Sequence, residues 1–305
     1  MKLELNKRDR ICFLGDSITA DGRWITEVAE HFLKNYPELE IRFFNCGISG
    51  SKGNEANVKN RLYSDCFNYF PKYTVVMFGM NDIWPWLYSA ENSTDENIQK
   101  REERLSIYEN TLENIISFCE NNDCIPIICS PTPYDEYSVS ERDNWTANSA
   151  LFVCRDVAEK VAKKHGLIFV DMHKTLMGYM DKKPVGEDRI HPNDFGHHLM
   201  AECFLKAIDE RDEIEPDKKV ELSEKNLSRY ETERILRKLM FVERDCMLWQ
   251  YEPDKPLDER KSLVKKRGEE DAGWYETTGK VYLENIDYID VLRGELIKRT
   301  VEMYK

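Results

Sequence analysis

The apolar positions of the first 210 residues fall into short runs separated by stretches with helical spacing. The runs that predict strands are residues 10–14, 41–45, 73–78, 124–130 and 167–171. The stretches that predict helices are residues 21–36, 55–65, 98–120, 146–165 and 194–209. Strands that alternate with helices are typical of βαβ units, in which helices cover both faces of a parallel sheet. The pattern therefore predicts an α/β fold whose ligand sites lie at the carboxyl ends of the strands.

The pattern changes near residue 210, where charged residues become more frequent and strand patterns become rare. Helical spacing of apolar residues recurs over 226–248 and 285–304, and two prolines indicate a linker at 252–257. We expect a main domain over 1–210 and a charged, mainly helical C-terminal extension over 211–305. Three roles fit this extension: a solvated appendage packed on the core, a contact between copies of the chain, and one wall of a binding cleft.

Composition narrows the class of protein. The 305 residues are 41% hydrophobic and 33% charged, as in an ordinary soluble globular protein. The formal net charge of -13 disfavours nucleic acid and anionic membranes as partners, because like charges repel. No apolar core of a signal peptide follows the N-terminus, and no run of about 18 apolar residues occurs. We therefore expect a cytoplasmic protein without a membrane span.

The nine cysteines are odd in number and lack the spacing of a small disulfide framework. Several of them, including Cys12, Cys129 and Cys154, stand in apolar runs. This placement predicts reduced, buried thiols in a cytosolic protein. The alternative, one or two disulfides, would require an exported chain.

A serine follows the first predicted strand, in the sequence Gly15-Asp16-Ser17. A serine just past a strand end is exposed at the rim of a sheet, where a nucleophile has to be. Its hydroxyl attacks only when a base accepts the proton. The same residues also suit an ordinary turn and helix N-cap. The elbow G-x-S-x-G of α/β-hydrolases is absent.

Hydrogen-bond donors follow the second and third predicted strands. Gly47 comes after the second strand and lets the backbone approach a ligand closely, while Asn81 follows the third strand. With the Ser17 N–H they are candidates for an oxyanion hole, which stabilises the negative charge of a tetrahedral intermediate. Glycine and asparagine are also common in turns. The argument for a site is that all three adjacent loops carry such residues.

A candidate base occurs in the sequence Asp188-Arg189-Ile190-His191-Pro192. A turn with this spacing allows the Asp188 carboxylate to reach the ring of His191, as a base in a triad requires. Pro192 disfavours helix at His191 and keeps that residue on a loop. His173, after the fifth strand, is a rival base. Asp194, His197 and His198 form an alternative metal-binding group, although they lack a standard zinc spacing.

These separated segments together resemble the four conserved blocks of the SGNH (GDSL-type) hydrolases, over about residues 10 to 205. The resemblance implies a flavodoxin-like, three-layer α/β/α sandwich with a parallel sheet of about five strands. It implies Ser17 as nucleophile, His191 as base and Asp188 as its orienting carboxylate. It also implies an oxyanion hole formed by Ser17, Gly47 and Asn81. It implies nothing about residues 211–305.

Residues near these blocks are candidates for substrate binding: Asp16, Trp84, Trp86, Thr132 and Tyr134. The two tryptophans closely follow Asn81, and their faces suit stacking on a sugar ring, although packing under a long loop is an alternative. We therefore expect a serine esterase for short acyl groups, most specifically a carbohydrate O-acetylesterase. Its substrate would be a small ester such as an acetylated sugar.

The expected chemistry passes through an acyl-enzyme and needs no cofactor and no metal. Three alternatives remain open: a thioesterase, a lysophospholipase-type hydrolase, and a non-catalytic binding protein on the same scaffold. The extension over 211–305 could also make the chain a homo-oligomer. Neither nucleic acid nor a membrane is expected as a partner.

Overall fold

The computed structural model describes residues 3–56, 62–63, 65–138, 146–218, 224 and 256–285. The chain divides into two compact units, Met1–Leu222 and Ser223–Lys305. The first unit is built around five parallel strands: β1 Arg10–Gly15, β2 Arg42–Gly47, β3 Tyr73–Met77, β4 Ile125–Cys129 and β5 Phe169–Val170. The α/β fold with a five-stranded parallel sheet, predicted from the sequence, is confirmed.

Helical segments connect the strands. They are α1 Ser17–Asp21, α2 Arg23–Asn35, α3 Gly53–Ala56, α4 Asp95–Glu120, α5 Asn148–Lys164, α6 Met172–Met180 and α7 Asp194–Ala207. Helix α6 was not predicted from the sequence, in which Asp171 was assigned to the fifth strand. Asp171 instead caps α6 by accepting a hydrogen bond from the Lys174 N–H. No helix in the described ranges is both long and apolar enough to cross a bilayer.

The two faces of the sheet have separate hydrophobic cores, because successive side chains of a strand point to opposite sides. Cys12 and Leu14 of β1 pack in a cluster with buried residues of α4 and α5. Phe13, between them, has its ring centroid 5.0 Å from that of Trp24 on α2 and 5.8 Å from that of Phe204 on α7. Helices α4 and α5 therefore cover one face, and α2 and α7 the other.

The strand order, β2-β1-β3-β4-β5, brings the ends of the strands into register. Gly15 at the end of β1 pairs with Gly47 on one side and Met77 on the other. The chain adds β2 on one side of β1 and adds β3, β4 and β5 on the other side, so a topological switch point lies between β1 and β3. The loops after β1, β2 and β3 consequently meet at one edge of the sheet. Ser17 follows β1, and Asn81 follows β3.

The described part of the second unit is helical. It contains α8 Leu257–Glu270, a short helix at Ala272–Trp274, a π-helix at Tyr275–Gly279 and a helix at Lys280–Asn285. The predicted helices 226–248 and 285–304 lie outside the described residues, except for residue 285. The predicted linker 252–257 is described only from residue 256, and Leu257 already belongs to α8. The division of the chain near residue 210 stays a prediction.

The described cysteines belong to the core. None of these eight residues forms a disulfide, and all are buried. The sulfurs of Cys12, Cys46 and Cys66 lie within 4.8 Å of one another. Burial and neighbouring thiols raise the pKa of Cys12 and Cys66, and the Cys12 thiol donates to the Cys66 carbonyl at 3.7 Å. The Cys12 and Cys66 side chains are therefore neutral thiols at neutral pH.

Candidate active site

Ser17 stands at the rim of the sheet because β1 ends two residues earlier and a helical turn begins at the serine itself. Asp16 is the N-cap of this turn, and its Oδ1 accepts the Ile18 N–H at 3.0 Å. The Asp16 side chain is only 2% exposed. As the first residue of α1, Ser17 lies at the positive end of the helix dipole.

Three side chains form a hydrogen-bonded series that starts at Ser17. The Ser17 Oγ lies 2.9 Å from the His191 Nε2. On the opposite side of the ring, the His191 Nδ1 lies 3.0 Å from each carboxylate oxygen of Asp188. Asp188 Oδ1 also accepts the backbone N–H of His191 at 2.8 Å, which fixes the carboxylate against the ring. The structure therefore brings together the serine, histidine and aspartate that the sequence singled out.

The loop that carries Asp188 and His191 is closed like a hairpin. Gly186 and Pro192 form an antiparallel bridge, and the Glu187 N–H donates to the His191 carbonyl at 2.7 Å. Arg189, at the tip, has a φ of 72°, a left-handed conformation that is uncommon outside glycine. The closed backbone holds Asp188 and His191 on one side of a short turn.

Asp135, in the loop after β4, holds this turn through three hydrogen bonds with its backbone. The Asp135 Oδ2 accepts the N–H groups of Val185 and Gly186 at 2.8 and 2.7 Å, and the Asp135 N–H donates to the Arg189 carbonyl at 2.7 Å. Asp135 is 1% exposed. Asp135 was not predicted as a site residue, because an acidic residue in a loop after a strand has no distinctive sequence signal.

The candidate oxyanion donors are already engaged with protein acceptors. The Gly47 N–H donates to the Asn45 Oδ1 at 2.9 Å. The Asn81 amide donates to the Asp16 Oδ2 at 3.3 Å and to the Ser51 carbonyl at 3.1 Å. The bond to Asp16 places Asn81 next to the residue before Ser17. An incoming oxyanion would have to share these donors with Asn45, Asp16 and Ser51.

Asp82 ties the loops after β2 and β3 together. Its two carboxylate oxygens accept the Gly53 N–H at 2.8 Å and the Gly79 N–H at 3.0 Å. Burial, with the nearby Asp16 carboxylate, raises the pKa of Asp82 to about 7, although the two backbone donors act in the opposite direction. Asp82 thus fixes the turn on which Asn81 stands.

The predicted substrate-binding side chains differ in exposure. The rings of Trp84 and Trp86 stack at 5.9 Å with an interplanar angle of 19°, and Trp86 is 45% exposed. The guanidinium of Arg104, a residue of α4, lies 4.2 Å from the Trp84 ring centroid. Thr132 is 1% exposed, and Tyr134 has no exposed surface and packs in the core cluster. Only Trp86 of these presents a large open surface.

The alternative histidines have other environments. Burial lowers the pKa of the His173 ring to about 4. The backbone N–H of His173 donates to the Ser130 Oγ. His198 contacts the Glu27 carboxylate through Nδ1 and the Glu215 carbonyl through Nε2, each at 2.8 Å. Asp194 bonds to Arg23 instead. In the part of the chain that the structure describes, Asp194, His197 and His198 do not form a metal-binding group.

Two known proteins are similar to this chain in sequence. An acetylxylan esterase of Geobacillus stearothermophilus is 25% identical over 224 residues, which cover 68% of this chain and 96% of the relative. An acetylxylan esterase of Xylanibacter ruminicola is 26% identical over 217 residues, which cover 65% of this chain and 43% of the relative.

Solved structures show the same fold. A gut microbial diltiazem-metabolizing enzyme aligns with a TM-score of 0.74 at 18% identity and covers 100% of this chain and 96% of its own. The crystal structure of a catalytic mutant of the Geobacillus stearothermophilus acetylxylan esterase aligns with a TM-score of 0.56 at 23% identity. It covers 72% of this chain and 100% of its own.

The family assignment rests on the sequence model rather than on any single relative. The model described as the GDSL-like Lipase/Acylhydrolase family matches residues 13–199, which is more than half of the chain. The matched segment contains the end of β1, the candidate donors and the loop with Asp188 and His191. The chain therefore belongs to the GDSL-like Lipase/Acylhydrolase family and is a serine-type carboxylic ester hydrolase.

Proposed function

We propose that the chain is a carbohydrate O-acetylesterase in which Ser17, His191 and Asp188 act as a catalytic triad. The observation that carries the proposal is the hydrogen-bonded series from the Ser17 hydroxyl through the His191 ring to the Asp188 carboxylate. The acetylxylan esterases among its relatives support the choice of substrate class.

In the first half-reaction, His191 Nε2 accepts the proton of Ser17 as the Oγ attacks the ester carbonyl carbon. The Asp188 carboxylate stabilises the imidazolium that forms. When the tetrahedral intermediate collapses, the bond to the leaving oxygen breaks, and the imidazolium gives its proton to the departing sugar hydroxyl. The acyl group stays on Ser17 as an ester.

In the second half-reaction, water replaces the sugar. His191 accepts a proton from the water as its oxygen attacks the acyl-enzyme, and then returns this proton to the Ser17 Oγ. Acetate leaves, and the enzyme returns to its starting state. The Ser17 N–H, the Gly47 N–H and the Asn81 amide hold the oxyanion in both steps, with the bonds to Asn45, Asp16 and Ser51 shared or lengthened.

Trp86 is the residue that we assign to sugar binding, with Trp84 behind it as a stacked support. An exposed indole face in the segment that follows Asn81 can stack on a pyranose ring, whereas a small aryl acetate gains little from it. Trp84 has a φ of 54°, an outlier for a bulky residue, and the conformation turns the chain so that Trp86 follows at the surface. Asp16, Thr132 and Tyr134 are too buried to supply a platform, and we assign them to support.

The proposal predicts that Trp86→Ala impairs hydrolysis of acetylated xylo-oligosaccharides selectively. We expect KM for these substrates to rise by about 5- to 30-fold, since one stacking contact contributes on the order of 1–2 kcal/mol. The kcat/KM for p-nitrophenyl acetate should change less than about threefold. Acetate release from both substrates is the measurement, and Phe152→Ala, at a 53% exposed aromatic residue on α5, is the matched control.

The alternative activities are tested with the same parent enzyme. A thioesterase would prefer acetyl-coenzyme A, and a lysophospholipase would prefer long-chain acyl glycerophospholipids, over acetylated sugars. Equal loss of both acetate-releasing activities in Trp86→Ala would count against the sugar platform while leaving the ester hydrolase intact.

Gly47 is predicted to be irreplaceable for a steric reason. A Cβ at this position would lie 2.3 Å from the Ala20 nitrogen and 2.7 Å from the Thr19 carbonyl carbon, both backbone atoms of α1. Gly47→Ala should therefore displace the helical turn that begins with Ser17, at a cost of about 1–3 kcal/mol in unfolding free energy. We expect kcat/KM for p-nitrophenyl acetate to fall about 100-fold.

Gly178→Ala is the control for this substitution. Gly178 lies in α6, and a Cβ there would meet no heavy atom within 4 Å. Alanine stabilises a helix interior relative to glycine by roughly 0.5–1 kcal/mol, so Tm should stay level or rise, with activity unchanged. Thermal unfolding and initial rates measure both effects. A Gly47→Ala protein with the parental Tm and rate would show that α1 can shift without loss of stability or activity.

A further inference from the structure

Arg23, the first residue of α2, makes a dense set of contacts beside the candidate triad. Its Nε and Nη2 bond to the two oxygens of Asp21 at 2.8 and 3.0 Å. Its Nη1 bonds to Glu187 Oε1 at 2.8 Å and to Asp194 Oδ1 at 2.7 Å. Its Nη2 also donates to the Pro192 carbonyl at 3.2 Å. We call these five residues the Arg23 clamp.

The clamp joins the two segments that carry the triad. Asp21 is the last residue of α1, the short helix that begins with Ser17. Glu187 and Pro192 stand immediately before Asp188 and immediately after His191. One guanidinium therefore holds the serine's helix on one side and both ends of the histidine's turn on the other. These segments lie more than 160 positions apart in the sequence, as the Arg23–Glu187 bond itself spans 164.

The inner end of the clamp is held in place by His197. The His197 Nε2 lies 3.2 Å from Asp21 Oδ1, and the His197 side chain is 1% exposed. Burial lowers the pKa of His197 to about 4, so the ring is neutral at neutral pH. Burial acts to raise the pKa of Asp21, but the hydrogen bonds from Arg23 and the positive charge of Arg23 lower it. Asp21 is thus an ionised anchor.

We propose that Arg23 is a positioning residue that holds His191 in hydrogen-bonding register with Ser17; the proposal rests on the triad assigned above. Rates of acyl transfer fall steeply when reacting groups are misplaced, by about 100-fold for displacements near 1 Å. The planar guanidinium serves four acceptor groups at once, which a lysine ammonium with a single nitrogen cannot reproduce.

The chain offers a matched residue that has the same chemistry elsewhere. Arg155 on α5 bonds to Asp171 through Nε at 2.9 Å and Nη2 at 2.6 Å, to Asp156 through Nη1 at 2.8 Å, and to Glu159. Its side chain is 13% exposed, compared with 21% for Arg23. Its partners lie on α5 and at the cap of α6, so it separates a general loss of stability from an effect on the triad.

The experiment compares Arg23→Gln, Arg23→Lys and Arg155→Gln. It measures kcat and KM for p-nitrophenyl acetate, the second-order rate of Ser17 labelling by a fluorophosphonate, and Tm. We expect Arg23→Gln to lower kcat and the labelling rate together by about 10- to 100-fold, with KM within about threefold of the parent. Arg23→Lys should recover part of this loss. Arg155→Gln should lower Tm comparably and leave both rates within about twofold.

A milder pair keeps the test decisive if Arg23→Gln does not fold. Glu187→Ala removes one partner of Arg23, and Glu159→Ala removes one partner of Arg155, at side chains that are 52% and 49% exposed. Labelling slowed about threefold or more by Glu187→Ala alone supports the clamp. Equal rates within each matched pair, in a parent labelled at Ser17, would overturn it. A parent labelled at another residue would overturn the proposed triad, and the role of Arg23 with it.

Discussion

Ser17→Ala should abolish ester hydrolysis, with kcat/KM for p-nitrophenyl acetate falling by about 10⁵-fold or more. The alanine removes the Oγ that lies 2.9 Å from the His191 Nε2, and with it the only atom able to form the acyl-enzyme in the proposed mechanism. The backbone of α1 is capped by Asp16 rather than by the serine, so Tm should change little. Initial rates and thermal unfolding of the two proteins provide the measurement.

Ser49→Ala is the control for the nucleophile. Ser49 follows Gly47 in the stretch of sequence closest to an α/β-hydrolase elbow, so it is the serine that a motif search would choose next. It should keep activity within about threefold of the parent and label normally with a fluorophosphonate. Retained hydrolysis in Ser17→Ala, or modification of Ser49 in the parent, would remove Ser17 from the mechanism.

The sheet was predictable because most residues of its strands are buried. A strand such as β3, in which all five residues are buried, produces a continuous apolar run, and alternation with helices predicts a parallel sheet. The ends were less predictable. The run 167–171 supplies only two residues to β5, since Asp171 is more useful as the cap of α6 than as a strand residue.

The triad contact was predictable from two local features. The serine just past the end of β1 also suited a turn and helix N-cap, whereas the aspartate three residues before a histidine was read directly as a base with its orienting carboxylate. The 2.9 Å contact between Ser17 and His191 agrees with that expectation, while their catalytic roles stay predictions. The bond from the Gly47 N–H to Asn45 could not be anticipated, because it depends on how the loop after β2 turns back.

The supporting groups were not predictable for a different reason. Arg23 and Asp135 act across long sequence separations, and a single arginine or aspartate in a polar segment is most often a solvated surface residue. Only the folded chain puts Arg23 within reach of Glu187 and puts Asp135 under the Gly186 N–H. The assembly role of residues 211–305 and the cytoplasmic location likewise stay predictions from sequence.

Asp188→Asn is expected to lower kcat/KM by about 10³- to 10⁴-fold while preserving the fold. In the parent, Asp188 Oδ1 accepts the His191 backbone N–H at 2.8 Å, and both carboxylate oxygens face the His191 Nδ1. In the variant, the amide oxygen keeps the backbone bond, so the amide nitrogen faces Nδ1. That nitrogen donates, which favours the tautomer in which Nδ1 accepts and the ring proton lies on Nε2. The histidine then points a proton at the Ser17 Oγ and cannot remove one.

The matched control is Glu113→Gln, in another histidine–carboxylate pair of similar exposure. His165 Nε2 lies 2.8 Å from Glu113 Oε2, with side chains 23% and 28% exposed, compared with 35% and 30% for His191 and Asp188. Glu113→Gln should leave kcat/KM within about twofold, because α4 and α5 carry this pair away from Ser17. Fluorophosphonate labelling of Ser17 should slow in Asp188→Asn as much as hydrolysis does, since both require deprotonation of the same Oγ. An Asp188→Asn enzyme that labels and hydrolyses at parental rates would mean that His191 takes its orientation from the backbone turn alone.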